Sequence, residues 1–461
     1  MSFHSDFFPP GGDDLIPGDV IDTPDNYIAD GINYIDITNG VTISQSTFPD
    51  LDANLFVPNW SSTSLQQEIN NPTAVISDYF GKSVSLYGDT LVVGAYFDDI
   101  GASNAGSVYV YTRSGTTWTL QQEINNPSPT IDDFFGHSVS LYGDTLVVGA
   151  YAEDTGASNA GSVYVYTRSG TTWSLQQEIN NPEPAIDDYF GNSVAIYGDT
   201  MVAGAYGDDT GATDAGSVYV YVRSGSTWLL QQEINNPSPV AGDWFGYSVS
   251  LYGDTLLVGA YGEDTGASAA GSAYVYTRSG TTWTLQQEIN NPSPVAGDSF
   301  GYNVSLYGDT LVVGAYLEDT GAAAAGSVYV YVRSGSTWSL QQEINNPNPA
   351  IDDRFGYAVS LYNDILTIGA YYDTSGTVGG SAYVYTRSGT TWSLQQEINN
   401  PNLIANDFFG AAISVYQDTL LVGAYGEDTG ASSAGSVYIF SPTEAGTFYI
   451  QGTDKVLKVK K

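Results

Sequence analysis

A segment of about 55 residues is repeated seven times in this chain, and the repeat constrains the fold more than any other feature. A Phe-Gly pair marks each copy, with spacings of 55 residues five times and 54 residues once: Phe80, Phe135, Phe190, Phe245, Phe300, Phe355 and Phe409. A fixed period of this size indicates a repeat architecture. The 461 residues are therefore dominated by one large repeat domain, although length alone suggests about three domains.

Each repeat contains four short segments with the pattern of β-strands. The first two are Ser83–Tyr87 and Thr90–Tyr96, separated by the two-residue turn Gly88-Asp89, which is typical of a tight hairpin. The second segment is apolar on both faces, as in a strand covered on both sides. Gly106–Tyr111 alternates with period two, and Trp118–Ile124 is a polar outer strand.

No repeat shows a helical period, so the sequence predicts an all-β fold. Seven small four-stranded sheets in a ring form a seven-bladed β-propeller of four-stranded antiparallel blades. We expect an N-terminal arm or docking segment at 1–59, the propeller at 60–440 and a short C-terminal tail at 441–461. The arm is acidic and rich in Pro, Gly, Asp and Asn, a composition expected to order on a partner protein.

The two ends of the repeat region predict how the ring closes. Residues 66–72 copy the outer strand of the other units, whereas the last unit, ending at Phe440, lacks that strand. We expect residues 64–70 to supply the outer strand of blade seven. The alternative strand is residues 447–451.

Charge and composition exclude several classes of partner. The chain carries 51 Asp and Glu against 12 Lys and Arg, a net charge of −39, which repels nucleic acid and anionic lipid. It has no cysteine, and no apolar run reaches the ~18 residues of a membrane helix. The N-terminal residues lack the basic and apolar regions of a Sec signal, so we expect synthesis in the cytoplasm without Sec export.

The Phe-Gly and Leu-Val-Val-Gly-Ala motifs resemble FG-GAP repeats, the units of the integrin α-subunit head propeller, and the resemblance covers about residues 64–440. It implies a β-propeller that works in recognition. The calcium-binding members carry an Asp-rich loop of about nine residues between the first two strands, but the turn here has two, too few for 6–8 oxygen ligands. The resemblance therefore implies no metal site and no cofactor. The family's Gly-Ala-Pro is here Gly-Ala-Tyr, and we expect these tyrosines to pack between blades: Tyr96, Tyr151, Tyr206, Tyr261, Tyr316, Tyr371 and Tyr425.

Blade topology sorts the loops onto two faces. One face collects the hairpin turns with six arginines: Arg113, Arg168, Arg223, Arg278, Arg333 and Arg387. The other face collects acidic residues: Glu153-Asp154, Asp208-Asp209, Glu263-Asp264, Glu318-Asp319, Glu427-Asp428, Asp133, Asp188, Asp243 and Asp298. These acids either cap their own loops or bind a divalent cation or cationic ligand weakly.

The repeats differ mainly beside the Phe-Gly pair, at the preceding and the following residue. We expect both positions to form exposed groups around the mouth of the central channel on the acidic face, where they suit a glycan or a peptide loop. Neutral variation is the alternative. The candidate ligand-binding residues are Tyr79, Lys82, Phe134, His137, Tyr189, Trp244, Tyr247, Tyr302, Arg354 and Tyr357; the two sets are completed by Ser299, Phe408, Asn192 and Ala411.

The sequence offers little for catalysis. There are two histidines, His4 and His137, and the paired carboxylates recur with the blades instead of forming one unusual group. We expect no catalytic residues and a non-enzymatic recognition or adhesion protein that is extracellular or on a virion or particle, binding a host-surface glycan or protein without inserting into the membrane. The alternatives are a purely structural particle component and a bacterial surface adhesin exported without a Sec signal.

Overall fold

The computed structural model describes residues 27–29, 34–36, 56–373, 379–449 and 456–458, with side chains described for 58–373 and 379–443. These residues are strands, turns and loops, and none of the described segments is a helix that could cross a membrane. The chain divides into two compact units. Of the described residues, 65–373, 379–416 and 420–439 belong to one unit, and 56–64, 417–419 and 440–449 belong to the other.

Seven sheets form the blades, as the sequence predicts. Blade one consists of Ser83–Tyr87, Thr90–Ala95, Ser107–Ser114 and Thr117–Asn125. Blade two consists of Phe135–Tyr142, Thr145–Ala150, Ser162–Ser169 and Thr172–Asn180. Blade three consists of Ser193–Tyr197, Thr200–Ala205, Ser217–Ser224 and Thr227–Asn235. Blade four consists of Ser248–Tyr252, Thr255–Ala260, Ser272–Ser279 and Thr282–Asn290.

The remaining three blades repeat this order. Blade five consists of Phe300–Tyr307, Thr310–Ala315, Ser327–Ser334 and Thr337–Asn345. Blade six consists of Ala358–Tyr362, Ile365–Ala370, Ser381–Ser388 and Thr391–Asn399. Blade seven consists of Phe409–Tyr416, Thr419–Ala424, Ser436–Tyr449 and Phe56–Asn70, with Val456–Lys458 paired to Ser436–Tyr449. Tyr27–Ala29 and Tyr34–Asp36 form a separate antiparallel pair.

The register within a blade confirms the predicted hairpins. Tyr87 pairs with Thr90 across the Gly-Asp turn, and Ser114 pairs with Thr117 at the next hairpin. A β-bulge between Val110 and Tyr111 shifts the register of the outer strand, and the same bulge recurs in blades two to six. Such bulges increase the local twist of a strand, which suits sheets that stack around an axis.

The core lies between neighbouring blades. Every residue of the second strand is buried in all seven blades, which confirms the prediction of a strand covered on both faces. Val92 and Val108 of blade one, for example, pack in one cluster with Phe135 and Leu146 of blade two. Burial of such large apolar side chains contributes about 1.5–3 kcal/mol each.

The Phe-Gly and Gly-Ala motifs of adjacent blades fit together through their glycines. A Cβ atom added to Gly94 of blade one would lie 2.0 Å from the carbonyl oxygen of Gly136 in blade two. Gly136 itself has a φ of +89°, a conformation open to glycine and strained for other residues. The two glycines are therefore required by one close approach of backbones, which explains why they recur together in every repeat.

The ring closes through the N-terminal strand, as predicted from residues 64–70. Ser436 donates a hydrogen bond to Asn70 Oδ1 at 2.7 Å, the same bond that Ser107 makes to Asn125 within blade one at 2.9 Å. The Asn71 N–H also donates to the Gly435 carbonyl at 3.3 Å. Asn70 thus has the same position in blade seven that Asn125 has in blade one. Residues 447–449 pair instead with Val456–Lys458.

Glutamine side chains join the outer strands of neighbouring blades. Gln122 of blade one accepts a hydrogen bond from the Trp173 N–H at 2.8 Å and donates one to the Trp173 carbonyl at 2.9 Å. Gln67 makes the same pair of bonds to Trp118. Gln67 therefore connects blade seven to blade one as Gln122 connects blade one to blade two.

Candidate functional site

Seven blades surround one cavity of about 280 Å³ on the axis of the propeller, and each blade lines it with three consecutive residues that follow its Phe-Gly pair. The first residue of each triplet is the predicted variable position: Lys82, His137, Asn192, Tyr247, Tyr302, Tyr357 and Ala411. The next two positions are mostly serine and valine or another small residue. The structure therefore brings the predicted second set of variable residues together in one place.

A hydrogen-bonded arc runs through four of these residues. The Lys82 ammonium donates to the Tyr357 hydroxyl at 3.0 Å. Tyr302 is hydrogen-bonded to Tyr357 through their hydroxyls, and the Tyr247 hydroxyl donates to the Tyr302 hydroxyl at 3.2 Å. The Tyr247 and Tyr302 rings lie 5.0 Å apart and the Tyr302 and Tyr357 rings 5.1 Å apart, so packing and hydrogen bonds hold the arc together.

The other half of the mouth is formed by an amide and an imidazole. Asn192 Nδ2 donates to the Tyr247 carbonyl at 3.0 Å, and the His137 ring is hydrogen-bonded to the Asn192 backbone. Burial, helped by the positive charge of Lys82, lowers the pKa of His137 to about 3. His137 is therefore neutral at pH 7, and its buried Nδ1 has no hydrogen-bond partner in the described part of the chain.

Lys82 and Tyr357 influence each other's ionisation. Burial disfavours the charged form of both groups. The Lys82 ammonium nevertheless lowers the pKa of Tyr357, and the oxygens of Tyr357 and Tyr425 raise the pKa of Lys82. Lys82 consequently keeps its positive charge at neutral pH. The ammonium also lies 4.8 Å from the centre of the Tyr425 ring, a cation–π distance.

The residues before Phe-Gly lie elsewhere, which corrects the prediction that both positions surround the channel mouth. None of that set lines the cavity. Their rings pack on the Gly-Ala-Tyr tyrosine of their own blade: Phe134 on Tyr151 at 5.3 Å and Trp244 on Tyr261 at 4.7 Å. This set is Tyr79, Phe134, Tyr189, Trp244, Ser299, Arg354 and Phe408, all with φ between 56° and 60°, a left-handed conformation that costs non-glycine residues energy.

Exposure is also lower than the sequence suggested. The candidate aromatics were expected to be exposed, but the ten candidate residues are all half-buried. Ser299, Asn192 and Ala411 are buried. The aromatic rings cover one another: Trp244, for example, packs on Tyr261, and Tyr261 in turn contacts Tyr302 of the cavity lining. Whether the ten bind a ligand stays a prediction.

The Gly-Ala-Tyr tyrosines pack between blades, as predicted. Tyr96 of blade one contacts Phe134 and His137 of blade two, with ring centres 5.8 and 5.3 Å apart. Tyr261 of blade four contacts Tyr302 of blade five at 5.3 Å. These contacts link the outer aromatic layer to the residues that line the cavity.

A second ring of tyrosines lies at the opposite end of the innermost strands. Neighbouring ring centres are 4.7–5.1 Å apart around the complete circle: Tyr87, Tyr142, Tyr197, Tyr252, Tyr307, Tyr362 and Tyr416. Burial and neighbouring tyrosines raise the pKa of Tyr87 and Tyr197 to about 12. The sequence analysis missed this ring, although a tyrosine precedes the first turn in every repeat.

The acidic loops cap themselves and divide into buried and exposed acids. Asp98 is buried and accepts hydrogen bonds from the Ile100 N–H at 3.0 Å and the Tyr109 hydroxyl at 2.8 Å. Asp99 is exposed and accepts the Asn104 N–H at 2.8 Å. The loop-capping interpretation is confirmed, but the first acid of each pair is buried: Asp98, Glu153, Asp208, Glu263, Glu318 and Glu427.

Each blade buries a second carboxylate, in the residue two positions before Phe. Asp78 accepts hydrogen bonds from Asn71 Nδ2 at 2.7 Å and from the Val75 N–H at 2.6 Å. Burial, opposed by these bonds and assisted by Asp98, raises the pKa of Asp78 to about 6. Burial likewise raises the pKa of Asp407 to about 6. Among the described residues, no group of three or more His, Cys, Asp or Glu is arranged to hold a metal ion.

The arginines lie on the hairpin face, as predicted, and they are engaged with their own blades. Arg168 donates hydrogen bonds to Asp144 of the Gly-Asp turn and to the Thr90 hydroxyl of the preceding blade, both at 2.7 Å. Its guanidinium also lies 5.2 Å from the Trp173 ring. These contacts give the arginines a structural role at the hairpin end.

The model of the FG-GAP repeat family matches the chain seven times, over residues 65–111, 118–166, 173–221, 228–276, 283–331, 338–385 and 392–440. The chain belongs to the FG-GAP repeat family. Each match runs from the outer strand of one blade into the first three strands of the next. The sequence repeat is therefore offset from the structural blade by one strand, and this offset is what closes the ring. No curated protein matches the chain.

Membership of the FG-GAP family fits the resemblance noted in the sequence. The FG-GAP propeller is a fold that is often used in binding and adhesion and is typically non-catalytic. Fold alone does not specify a ligand. The particular ligand must be sought in the side chains that distinguish one blade of this FG-GAP propeller from another.

Proposed function

We propose that this protein is a non-enzymatic recognition propeller that binds a glycan or a protein loop at the channel mouth. One observation carries the proposal: one of the two positions at which the repeats differ most, the residue after Phe-Gly, lines a single cavity in all seven blades. Identical residues there would form a symmetric ring. The actual residues place a cation, an imidazole and an amide in blades one to three and three tyrosines in blades four to six.

Aromatic and hydrogen-bonding groups around a shallow cavity suit a sugar or a peptide loop. A tyrosine presents an apolar ring together with a polar hydroxyl, and three tyrosines lie side by side here. The cavity of about 280 Å³ is slightly smaller than the usual small-molecule site, which begins at about 300 Å³. We infer that it accepts one sugar residue or one side chain of a larger partner.

The same residues are poor candidates for catalysis. A general base works best when its pKa lies near the operating pH, whereas burial lowers the pKa of His137 to about 3. The carboxylates of the acidic loops recur in every blade and are engaged in loop hydrogen bonds. These features support a binding role.

We further propose that the propeller is carried on a virion or another particle and faces a host-cell surface. Residues 1–59 would dock on the particle through a protein partner, and they lie largely outside the described residues. The net charge of −39 disfavours nucleic acid as the partner of the propeller. A bacterial surface adhesin exported without a Sec signal is the rival setting.

One observation favours a second candidate, a structural particle component. Every blade exposes at least one large aliphatic residue in the connection that leads to Phe-Gly, with 47–70% of its surface accessible: Ile76, Ile131, Ile186, Val240, Val295, Ile351 and Ile404, with Val75 and Leu403 as second residues in two of the connections. A ring of seven exposed aliphatic groups could match a symmetric partner without any ligand in the cavity.

Substitutions of two tyrosines of one strand distinguish the recognition propeller from the structural component. Tyr302 lies at the channel mouth and Tyr307 in the tyrosine ring at the other end of the same strand. We expect Tyr302→Ala to weaken attachment of the purified protein to host cells or an immobilised glycan panel at least tenfold, because an aromatic hot spot contributes about 2 kcal/mol or more. Tyr307→Ala is the matched control.

Both variants must retain the β-sheet circular dichroism of the wild type. Loss of attachment with Tyr307→Ala alone would place the site at the hairpin face. Attachment that survives both changes would remove the cavity from the function and support the structural candidate.

A further inference from the structure

Lys82 is a singular residue in this FG-GAP propeller. It is the only lysine before Lys455 in the sequence, and it stands at a position that no other blade fills with a charged side chain. Its side chain is half-buried in the cavity lining. Its ammonium donates a 3.0 Å hydrogen bond to the Tyr357 hydroxyl.

The ammonium has no carboxylate partner among the described residues. The salt bridges in that part of the chain join arginines to the aspartates of the hairpin turns. The cavity lining supplies hydroxyl, amide, imidazole and apolar groups, and it contains no Asp or Glu. Because a buried charge is normally paired, this ammonium is an unusual feature in a chain of net charge −39.

The small residue Ala411 stands between Lys82 and Tyr357 in the order of the blades around the cavity. Lys82 belongs to blade one and Tyr357 to blade six, so the lysine reaches past blade seven, whose residue at this position is Ala411. The result is a charge at one end of the hydroxyl arc of Tyr357, Tyr302 and Tyr247.

We propose that Lys82 anchors the carboxylate of an acidic sugar, a hexuronate or a related sugar acid, while the tyrosine hydroxyls bind the hydroxyl groups of the sugar ring. This inference rests on the proposed function and specifies its ligand class. A single ammonium beside neutral hydroxyls matches a monoanion. Phosphate and sulfate are bound in proteins mostly by several donors or by the arginine fork, and the negative field of the chain opposes anions of higher charge.

The test compares four small probes on the wild-type chain by isothermal titration calorimetry at constant ionic strength: glucuronate, its neutral amide, acetate and inorganic phosphate. We expect glucuronate to bind at least tenfold more tightly than the amide and than acetate, because it alone offers both the carboxylate and the ring hydroxyls. A uronate oligosaccharide is then titrated to ask whether the ligand is the end of a polysaccharide or a free sugar acid. Only the terminal residue of the oligosaccharide fits a cavity of about 280 Å³.

Two variants locate the site. Lys82→Gln removes the charge and keeps an N–H donor on a side chain that is shorter by one atom, and it should reduce glucuronate affinity to that of the amide. Arg333→Gln, which removes one positive charge on the hairpin face, should leave glucuronate affinity unchanged. If Lys82→Gln does not fold, the comparison of glucuronate with its amide on the wild type still shows whether the carboxylate contributes to binding.

Several results would overturn the inference. Equal affinity for glucuronate and its amide would show that the charge is not used. Equal affinity for phosphate would indicate a general anion site. Ionisation of a tyrosine below pH 8, seen as phenolate absorbance and lost in Tyr357→Phe, without glucuronate binding, would show that Tyr357 itself is the counterion.

The failure of this inference is distinct from the failure of the proposed function. Attachment that depends on Tyr302 but shows no preference for glucuronate would reject the acidic sugar and keep the recognition site. A glucuronate preference without attachment to any cell surface would reject adhesion and keep the sugar-acid site.

Discussion

Replacing the buried Asp78 by asparagine should stabilise the propeller at neutral pH. Asp78 is 1% exposed and its pKa is raised to about 6 from the usual value of 3.8, mainly by burial. Its Oδ2 accepts two hydrogen bonds, but its Oδ1 has no partner among the described residues. The fold therefore favours the neutral acid, which asparagine resembles in shape.

The sign and the size follow from the pKa difference. A carboxyl group whose pKa is higher in the folded state contributes stability below about pH 4, and that contribution is lost as the pH rises toward 6. A difference of about two pKa units corresponds to about 3 kcal/mol. Asp78→Asn should thus raise the free energy of unfolding at pH 8 by about 1–3 kcal/mol, the lower value applying if the new amide N–H₂ finds no acceptor.

The gain should depend on pH. At pH 5 about half of it should remain, and at pH 4 almost none, because the wild-type carboxyl is then neutral. His137 has the opposite effect, since its lowered pKa makes acid destabilising, but His137 is present in both proteins. The difference between variant and wild type therefore isolates Asp78 and its neighbours Asp98 and Asp99.

Urea unfolding at pH 4, 5, 6, 7 and 8, followed by tryptophan fluorescence, measures this difference. The tryptophans of the outer strands, such as Trp118, are 3% exposed or less in the folded state and will report their exposure. Glu183→Gln is the matched control, because Glu183 is an exposed carboxylate in the equivalent connection of blade three. A difference for Asp78→Asn that is independent of pH, or a loss of stability at pH 8, would refute the reasoning.

Three further predictions concern the scaffold. Gly94→Ala should lower stability by about 3 kcal/mol or more in thermal melting, because its Cβ would overlap the Gly136 carbonyl. Gly143→Ala, where a Cβ meets nothing within 4 Å but φ is +58°, should cost about 1 kcal/mol, and similar losses would reject the close-approach explanation. Deleting residues 1–59 should leave a folded monomer, whereas deleting 1–72 should remove the Asn70 strand and cause association through the exposed sheet edge, visible in size-exclusion chromatography; equal behaviour would contradict the closure. A chelator should leave the melting temperature unchanged, since only a ligand bound to the native state shifts it, and a fall of several degrees would identify the acidic loops as metal sites.

The fold could be predicted from the sequence because each repeat carries its own local signals. The Gly88-Asp89 turn fixes a hairpin, and the apolar run of Thr90–Ala95 requires cover on both faces. The copy of the outer strand at the start of the chain then determines the closure. These signals are local or follow from the period, so no knowledge of side-chain packing is needed.

The candidate site could be predicted in part. The positions after Phe-Gly line the axial cavity, in agreement with their predicted place at the start of the innermost strands, and their role in binding stays a prediction. The positions before Phe-Gly were placed there wrongly, since their left-handed backbone turns the side chain onto the Gly-Ala-Tyr tyrosine. The backbone conformation of Trp244 or Phe134 depends on contacts with the previous blade, such as the bond from the Trp244 N–H to the Asp214 carbonyl at 3.1 Å. Sequence patterns within one repeat do not reveal such contacts.

The two ends of the innermost strands show where this scaffold leaves room for a specific function. At the hairpin end all seven residues are tyrosine, and each ring contacts two identical neighbours. Tyr307, for example, contacts Tyr252 of the preceding blade and Tyr362 of the following one. A change in one of them would break two equivalent contacts, so symmetric packing can account for this ring without a ligand. At the mouth the blades carry five different side-chain types joined by unlike hydrogen bonds, from the Lys82 ammonium to the Asn192 amide. Symmetric packing does not require that variety, and this contrast is the physical reason to seek the ligand at the mouth.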